Sequence, residues 1–496
     1  MFRVAVLGTS NAIKKNGYYT YLKQNTKFNI DRYSIGDTTS MSGVYNILTY
    51  DIYKYEYAII DFNLNEIKFM VEKNYPPEWC VSTFIYLLGK LIEHDVIPIV
   101  LGLWHEDYSH LPSYQEEICR KYNITFIDMR YLEAFGKNLY SDKAHYIPEF
   151  QSLIAEKIIT AIYDSDISKI KKIDLEELEF SLLSQKINFS LKSVDFFRRK
   201  NSLLEKNLYK LNKNSSISVH QDDILCGVAY WSDQNTTNST TIKYENNKIV
   251  KNLRISHDGF IVRSIGFRSE IKNFEIILDG SKEYNEETVS SVDREGIYFC
   301  INDLIFANKN LNECGKNFII RDNINQIIII YKFIHCLKSK NLLKAKEYLN
   351  NIKIDNQLYK SFLLYEEKKY NECIKELNLY EPELLWVKYY TLAKSYQKLN
   401  IADEAINNYK KSLSYNTSHL DILLEYSIYL DKNKKYNEAI SFLELSNFIN
   451  KNWKGGLKRL SIIYNKIGNR NMAIKTAKLL CDIDNTNRDW LSYLEK

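Results

Sequence analysis

The chain has 496 residues, more than one hydrophobic core organises, and 67 basic against 62 acidic side chains give it a net charge of +5. That balance, with no long basic run, supplies no electrostatic footprint for nucleic acid. With 45% apolar and 14% aromatic residues the composition is globular, and no apolar run is long enough to make it an integral membrane protein.

From the start, short apolar runs alternate with helical periodicity. Arg3–Leu7, Ile30–Ile35, Tyr57–Ile60, Val96–Leu101 and Thr125–Ile127 read as strands, and Phe84–Ile92 reads as part of a helix. A last helix starts at Pro148, with Phe150, Leu153, Ile154, Ile158 and Ile162 on one face. The pattern predicts a three-layer α/β sandwich on a parallel sheet over residues 1–165. Residues 166–200 are charged and read as a helical connector. Over residues 201–322 the period becomes two. Leu225–Trp231, Thr240–Tyr244, Lys248–Leu253, Gly259–Ile265, Phe274–Leu278, Gly296–Ile301 and Phe318–Arg321 are strand candidates for an antiparallel β-sandwich.

Residues 323–496 carry a repeat. Lys368-Lys369-Tyr370-Asn371-Glu372-Cys373-Ile374 returns as Lys434-Lys435-Tyr436-Asn437-Glu438-Ala439-Ile440, and Ala405, Ala439 and Ala473 are spaced by 34 residues. Asn400 and Lys434 stand where Gly468 stands in the last copy. A helix-turn-helix of this period, with a small residue at the crossing, resembles tetratricopeptide repeats. The resemblance implies a stacked superhelix with a concave face, which binds a protein partner or packs on its own enzyme.

Eight cysteines without a C-x-x-C pair or zinc-ligand spacing read as reduced, buried thiols of a cytoplasmic protein, and no signal peptide precedes the first strand. The chemistry-bearing residues lie in the first third. Ser10 follows the first strand in Gly8-Thr9-Ser10-Asn11. It reads either as a helix N-cap or as a nucleophile on a strand-to-helix turn. Asp142-Lys143-Ala144-His145 stands before the last helix; an Asp three residues ahead of a His can orient the imidazole that accepts a serine proton. Gly36 ends the second strand candidate and Asn65 follows the third; each is a turn residue or an oxyanion donor.

Ser, Gly, Asn and Asp-x-x-His, in that order along alternating β and α segments, resemble the SGNH/GDSL hydrolase family. The resemblance implies that Ser10 is the nucleophile, His145 the base and Asp142 its orienter. It also implies an oxyanion hole formed by the Ser10 N–H, the Gly36 N–H and Asn65. Two blocks depart from the family pattern. Gly-Asp-Ser is Gly8-Thr9-Ser10, and Gly-x-Asn-Asp is Asn63-Leu64-Asn65-Glu66, which makes Asn63 an alternative donor.

Two aromatic segments, Asn74–Trp79 and Trp104–His110, follow the third and fourth strands. Trp79, Trp104 and His105 are the candidates for stacking on a sugar, against a reading of plain loop packing. His105, Glu106 and His110 match no closed metal site, and none is expected. The function expected is acyl-ester chemistry on a glycan or acylated sugar, foremost O-acetyl transfer during bacterial surface-polysaccharide (capsule) synthesis. No cofactor is expected to be bound, and acetyl-CoA is the candidate acyl donor. The place expected is the cytoplasm, peripheral to a membrane-bound glycan assembly system. The alternatives are a carbohydrate O-acetylesterase using the same residues and an inactive repeat-bearing assembly scaffold.

Overall fold

A computed structural model describes the chain except residues 26, 131–139, 143, 186–188, 201–204, 234–238, 254–258, 267–269, 279–297, 319–321, 383, 418, 450–452, 484–486 and 496. Two compact units form. The first comprises Met1–Leu103, Pro112–Asp128 and Gln151–His335; the second comprises Trp104–Leu111, Met129–Phe150 and Cys336–Lys496.

The first unit opens with β1 (Phe2–Leu7), α1 (Ser10–Ile13), α2 (Tyr18–Lys23), β2 (Phe28–Arg32), α3 (Ser40–Thr49), β3 (Tyr57–Ile60), α4 (Asn63–Glu72), α5 (Pro77–Glu93), β4 (Ile97–Gly102), α6 (Tyr114–Tyr122) and β5 (Thr125–Asp128). The ribbon β6 (Tyr140–Asp142) and β7 (His145–Tyr146) belongs to the second unit, and α7 (Pro148–Asp164) follows it. Strands β1–β5 form one parallel sheet in the order β2-β1-β3-β4-β5. Val4–Leu7 and all of β3 and β4 are buried, as strands covered on both faces must be, which is why they read as unbroken apolar runs. Strand order reverses between β1 and β3. Ligands of doubly wound sheets bind outside the carboxyl ends of the strands at such a reversal.

The first unit continues with β8 (Phe180–Leu182), β9 (Phe189–Lys192), β10 (Asp195–Lys200), β11 (Glu205–Leu211), β12 (Ser216–Val219), β13 (Ile224–Ser232), β14 (Ser239–Tyr244), β15 (Asn247–Asn252), β16 (Gly259–Ser264), β17 (Phe274–Ile277) and β18 (Phe299–Ala307). One sheet runs β10-β11-β18-β13-β16 with β8 beside β18, and the other runs β15-β14-β17-β12-β9. They face each other: the Phe274 and Phe306 rings lie 6.2 Å apart, and Lys251 Nζ on β15 donates to Ser264 O on β16 at 3.1 Å.

The helical connector expected over residues 166–200 is replaced by two 3-10 turns, Ile167–Lys169 and Leu183–Gln185, and by β8, β9 and β10. Dense charge there imitates a solvated helix, whereas Phe180 and Leu182 alternate at period two and are buried where β8 pairs with β18. The strand expected at Phe318–Arg321 is also absent where described. Phe318 closes α8 (Leu311–Phe318), and the other three positions lie outside the described residues.

The α/β region and the two sheets share the first unit through specific contacts. Tyr45 Oη donates to Asn302 Oδ1 at 2.6 Å and accepts from Lys206 Nζ at 2.7 Å. Ser82 Oγ donates to Leu311 O at 2.6 Å. Gly315 lets α8 touch α5, because a Cβ there would stand 2.0 Å from Glu78 O.

The second unit is a helical repeat. After α9 (Asp322–Lys338) come α10 (Leu342–Leu349) and the pairs α11 (Asn356–Glu366) with α12 (Tyr370–Asn378), α13 (Leu385–Lys398) with α14 (Ala402–Tyr415), α15 (Leu420–Lys432) with α16 (Tyr436–Ile449), and α17 (Lys454–Lys466) with α18 (Arg470–Ile483); α19 (Arg488–Glu495) is last. Each pair turns on one left-handed residue: Lys368, Asn400, Lys434 or Gly468. Each turn closes with the same local capping bond, Lys369 N–H to Leu364 O, Ile401 N–H to Tyr396 O, Lys435 N–H to Leu430 O and Asn469 N–H to Tyr464 O, at 2.9–3.0 Å. The repeat thus survives loss of its glycine at three turns. Cys373, Ala405, Ala439 and Ala473 are fully buried at the helix crossings.

Candidate functional site

Ser10 does not cap a helix. Thr9 occupies the N-cap in extended backbone, and Ser10 is the first residue of α1, half-buried. The turn that carries it stands on a buried polar network. Asp61, the residue after β3, accepts Tyr18 Oη–H at 2.6 Å and the Thr9 N–H. Burial pushes the Asp61 carboxyl up to about 7 against the pull of these hydrogen bonds, and raises the Tyr18 phenol as well. Gly8 is required here, since a Cβ would meet Tyr18 Oη at 2.8 Å and Asp61 Cγ at 2.9 Å. Behind the turn, Gln151 Nε2 donates to Asn11 Oδ1 and Gln151 Oε1 accepts from Tyr18 N–H, both at 3.0 Å. Asp61, Tyr18 and Gln151 were not singled out by sequence; an acidic residue closing a fully apolar strand was the available signal.

Gly36 lies beside this turn. Beyond the ends of β1 and β2 the pairing continues through Tyr33 N–H to Val6 O at 2.9 Å and Ile35 N–H to Gly8 O at 3.0 Å. The two segments therefore leave the sheet together. Thr38 Oγ1 donates to Ile35 O at 2.9 Å. In a planar trans peptide the Gly36 N–H points away from that carbonyl. Among the described residues it has no acceptor, and a Cβ on Gly36 would meet only Ile13 Cδ1, at 3.8 Å.

The two asparagines serve the same loops. Asn65 Nδ2 donates to Thr38 O at 2.9 Å, and the neighbouring Glu66 accepts Ser40 N–H at 2.8 Å. Asn63 Nδ2 donates to Leu103 O at 3.0 Å, and its Oδ1 accepts Ser113 Oγ–H at 2.5 Å. Both amides are buried and engaged with backbone, so the structure gives them loop-holding contacts.

Trp79 is buried near the start of α5, and Trp104 is fully buried in the second unit with the Arg130 guanidinium 4.2 Å over its ring. Neither presents a face to a sugar; both rings are spent on packing. His105 is buried too, its Nδ1 accepting Asp107 N–H at 3.2 Å.

Asp142 and His145 lie in the second unit as register partners of the β6–β7 ribbon. The Asp142 side chain is outside what is described. His145 is half-buried, and Tyr146 beside it accepts the Trp104 N–H at 3.0 Å. The Trp104–Leu111 segment is held by the helices of its own unit: Lys338 Nζ lies 4.2 Å over the Tyr108 ring, and the His110 ring stands edge-on to Trp386 at 6.1 Å. Ser10, Gly36, Asn63, Asn65 and Trp79 belong to the first unit.

All eight cysteines are buried and unbridged. Among the described residues, no group of three or more His, Cys, Asp or Glu side chains is placed to hold a metal ion, and no helix is long and apolar enough to cross a membrane.

No protein-family model and no curated protein matches the chain. Among solved structures it is similar to MamA AMB-1, at 17% identity and a TM-score of 0.28, covering 33% of this chain and 94% of that one. It is also similar to a second MamA crystal structure, at 14% identity and 0.29 over 33% and 94%, and to MamA MSR-1, at 16% and 0.27 over 33% and 98%. At these scores the likeness decides neither fold nor function. The helical repeat stands on its own turns and crossings.

Proposed function

We propose that the chain is a serine-dependent acyl-ester enzyme that transfers an acetyl group to a sugar hydroxyl of a surface polysaccharide. The observation that carries the reading is the Ile35 N–H to Gly8 O bond, which holds together the two segments that carry Gly36 and Ser10. The two residues follow adjacent strands at the strand-order reversal, and among the described residues the Gly36 N–H has no acceptor, while a Cβ on Gly36 would meet only Ile13 Cδ1. In this reading Ser10 Oγ attacks the acyl carbonyl, and the oxyanion is met by the Ser10 and Gly36 N–H groups. Asn65 keeps the loop in place through Thr38. The resemblance to SGNH/GDSL enzymes gives His145 the base's role and Asp142 the orienter's. Collapse of the tetrahedral intermediate breaks the bond to the donor's leaving group, which departs as the CoA thiol with the proton taken from Ser10; the acyl-enzyme then passes its acetyl group to a sugar hydroxyl, or to water in the esterase version, with the same residues acting.

Acetyl-CoA is the donor proposed, the cytoplasm beside a glycan assembly system is the place, and the helical repeat supplies a surface for a protein partner. Fluorophosphonate labelling of the full chain tests the chemistry: wild type is labelled and Ser10→Ala is not. A second reading, an inactive scaffold, draws on the asparagine amides, which are both spent on backbone; equal labelling of the two proteins selects it. Incubation with acetyl-CoA, with and without purified polysaccharide, separates transfer from hydrolysis by where the acetyl group ends.

A further inference from the structure

Arg263, on β16, is fully buried; Tyr230 on the neighbouring strand β13 lies within its hydrogen-bonding reach, and its ion pair lies outside the sheet. Nη2 forms an ion pair with the Asp37 carboxylate, and Nη1 donates to Asp37 O. Its Cζ lies 5.0 Å from the Phe69 ring centroid, and among the described residues Nε is buried without a partner. Asp37 directly follows Gly36 and has φ +52°, the left-handed region that side-chain-bearing residues rarely adopt. A buried guanidinium with one unpaired nitrogen and a left-handed aspartate are both costly. Both costs fall on one loop.

That loop is held on three sides. Ile35 N–H bonds to Gly8 O, Thr38 Oγ1 and Asn65 Nδ2 hold its middle, and Arg263 grips Asp37 through side chain and carbonyl together. The first two holds come from the α/β region itself. The third comes from the β-sandwich, 226 positions later in sequence. Substituting Arg263 removes the hold on Asp37, the residue next to the Gly36 N–H, that comes from the β-sandwich.

We infer that Arg263 is a positioning residue for the Gly36 N–H, so that the β-sandwich completes the oxyanion loop of the α/β region. The inference rests on the ester-chemistry reading of Ser10. Where a donor is aimed at a developing oxyanion, misplacement lowers the rate of the chemical step more than it weakens substrate binding.

The test uses the full chain with p-nitrophenyl acetate as probe, comparing wild type, Ser10→Ala, Arg263→Met, Arg263→Lys and Asp37→Asn. Backbone hydrogen exchange is followed over residues 33–41. The expected result is Ser10-dependent turnover in wild type and a kcat about tenfold or more lower in Arg263→Met, with KM within about twofold. Arg263→Lys should recover part of the loss, and exchange should quicken only across the loop. Asp37→Asn tolerates the left-handed backbone and keeps the carbonyl contact, so it gives the same signature, reduced, if Arg263→Met fails to fold. Wild-type turnover with unchanged kcat in Arg263→Met, or in Asp37→Asn where the former does not fold, overturns the inference and leaves the Ser10 reading standing. Absence of Ser10-dependent turnover in wild type overturns that reading, and the inference falls with it.

Discussion

Tyr18 donates its hydroxyl to the fully buried Asp61 carboxylate at 2.6 Å, directly beneath the turn that carries Ser10. Burial raises the Asp61 pKa from its ordinary 3.8 to about 7. Between those values the folded chain keeps a proton that the unfolded chain has released, so raising the pH over that window weakens folding. The contribution is full below about 3.8 and spent above about 7. Asp61→Asn keeps an acceptor for Thr9 N–H and removes the titration. Its thermal midpoint relative to wild type should therefore rise from pH 4 to pH 7 and then level off, as scanning calorimetry in matched buffers would show.

His110 should give the opposite slope. Burial first, then the His419 and Lys338 charges, lower its pKa from 6.5 to about 4. Its contribution is present above about 6.5 and lost as pH falls toward 4. His110→Phe removes that titration, so wild type should lose stability relative to the variant on acidification and match its slope above pH 7. Parallel curves over the whole range would mean that His110 is not held neutral by its site.

The two glycines of the Ser10 edge should separate. Gly8→Ala drives a methyl group into Tyr18 and Asp61 and should cost about 1–3 kcal/mol of stability by denaturant unfolding. Gly36→Ala meets only a methyl group at ordinary contact distance and should unfold like wild type. Its fluorophosphonate labelling should nonetheless slow, because the new methyl group stands beside the N–H assigned to the oxyanion.

Much of the fold was readable because its causes are local. β1, β3 and β4 are apolar runs covered on both faces, and the repeat is marked by Ala405, Ala439 and Ala473, small residues fully buried where helices cross. β8 to β12 were not readable: β8 and β12 are only 3 and 4 residues long, β10 and β11 are charged, and their register comes from distant partners such as β18 and β17. The candidate site divides the same way. Ser10 and Gly36 stand at strand ends that sequence can place. The acceptors of Asn63 and Asn65 lie on loops that sequence does not fold. The Arg263–Asp37 pair leaves no local signal at all.

The repeat register has its own check. Ala405 is fully buried where α14 crosses α13. Ala405→Trp should cost about 1–3 kcal/mol or more in thermal or denaturant unfolding of the second unit. An unchanged midpoint would show that the crossing lies elsewhere in the 34-residue period.

The claim on which the functional account turns is that Ser10 carries the acyl group. The direct measurement is peptide-mapping mass spectrometry of the full chain quenched in acid during turnover of p-nitrophenyl acetate, with Ser10→Ala alongside. The account predicts an acetyl group on the Ser10 peptide that appears within the first turnovers, decays when the ester is exhausted and is absent from the variant. Acetyl found only on lysines, at equal levels in both proteins, would contradict it.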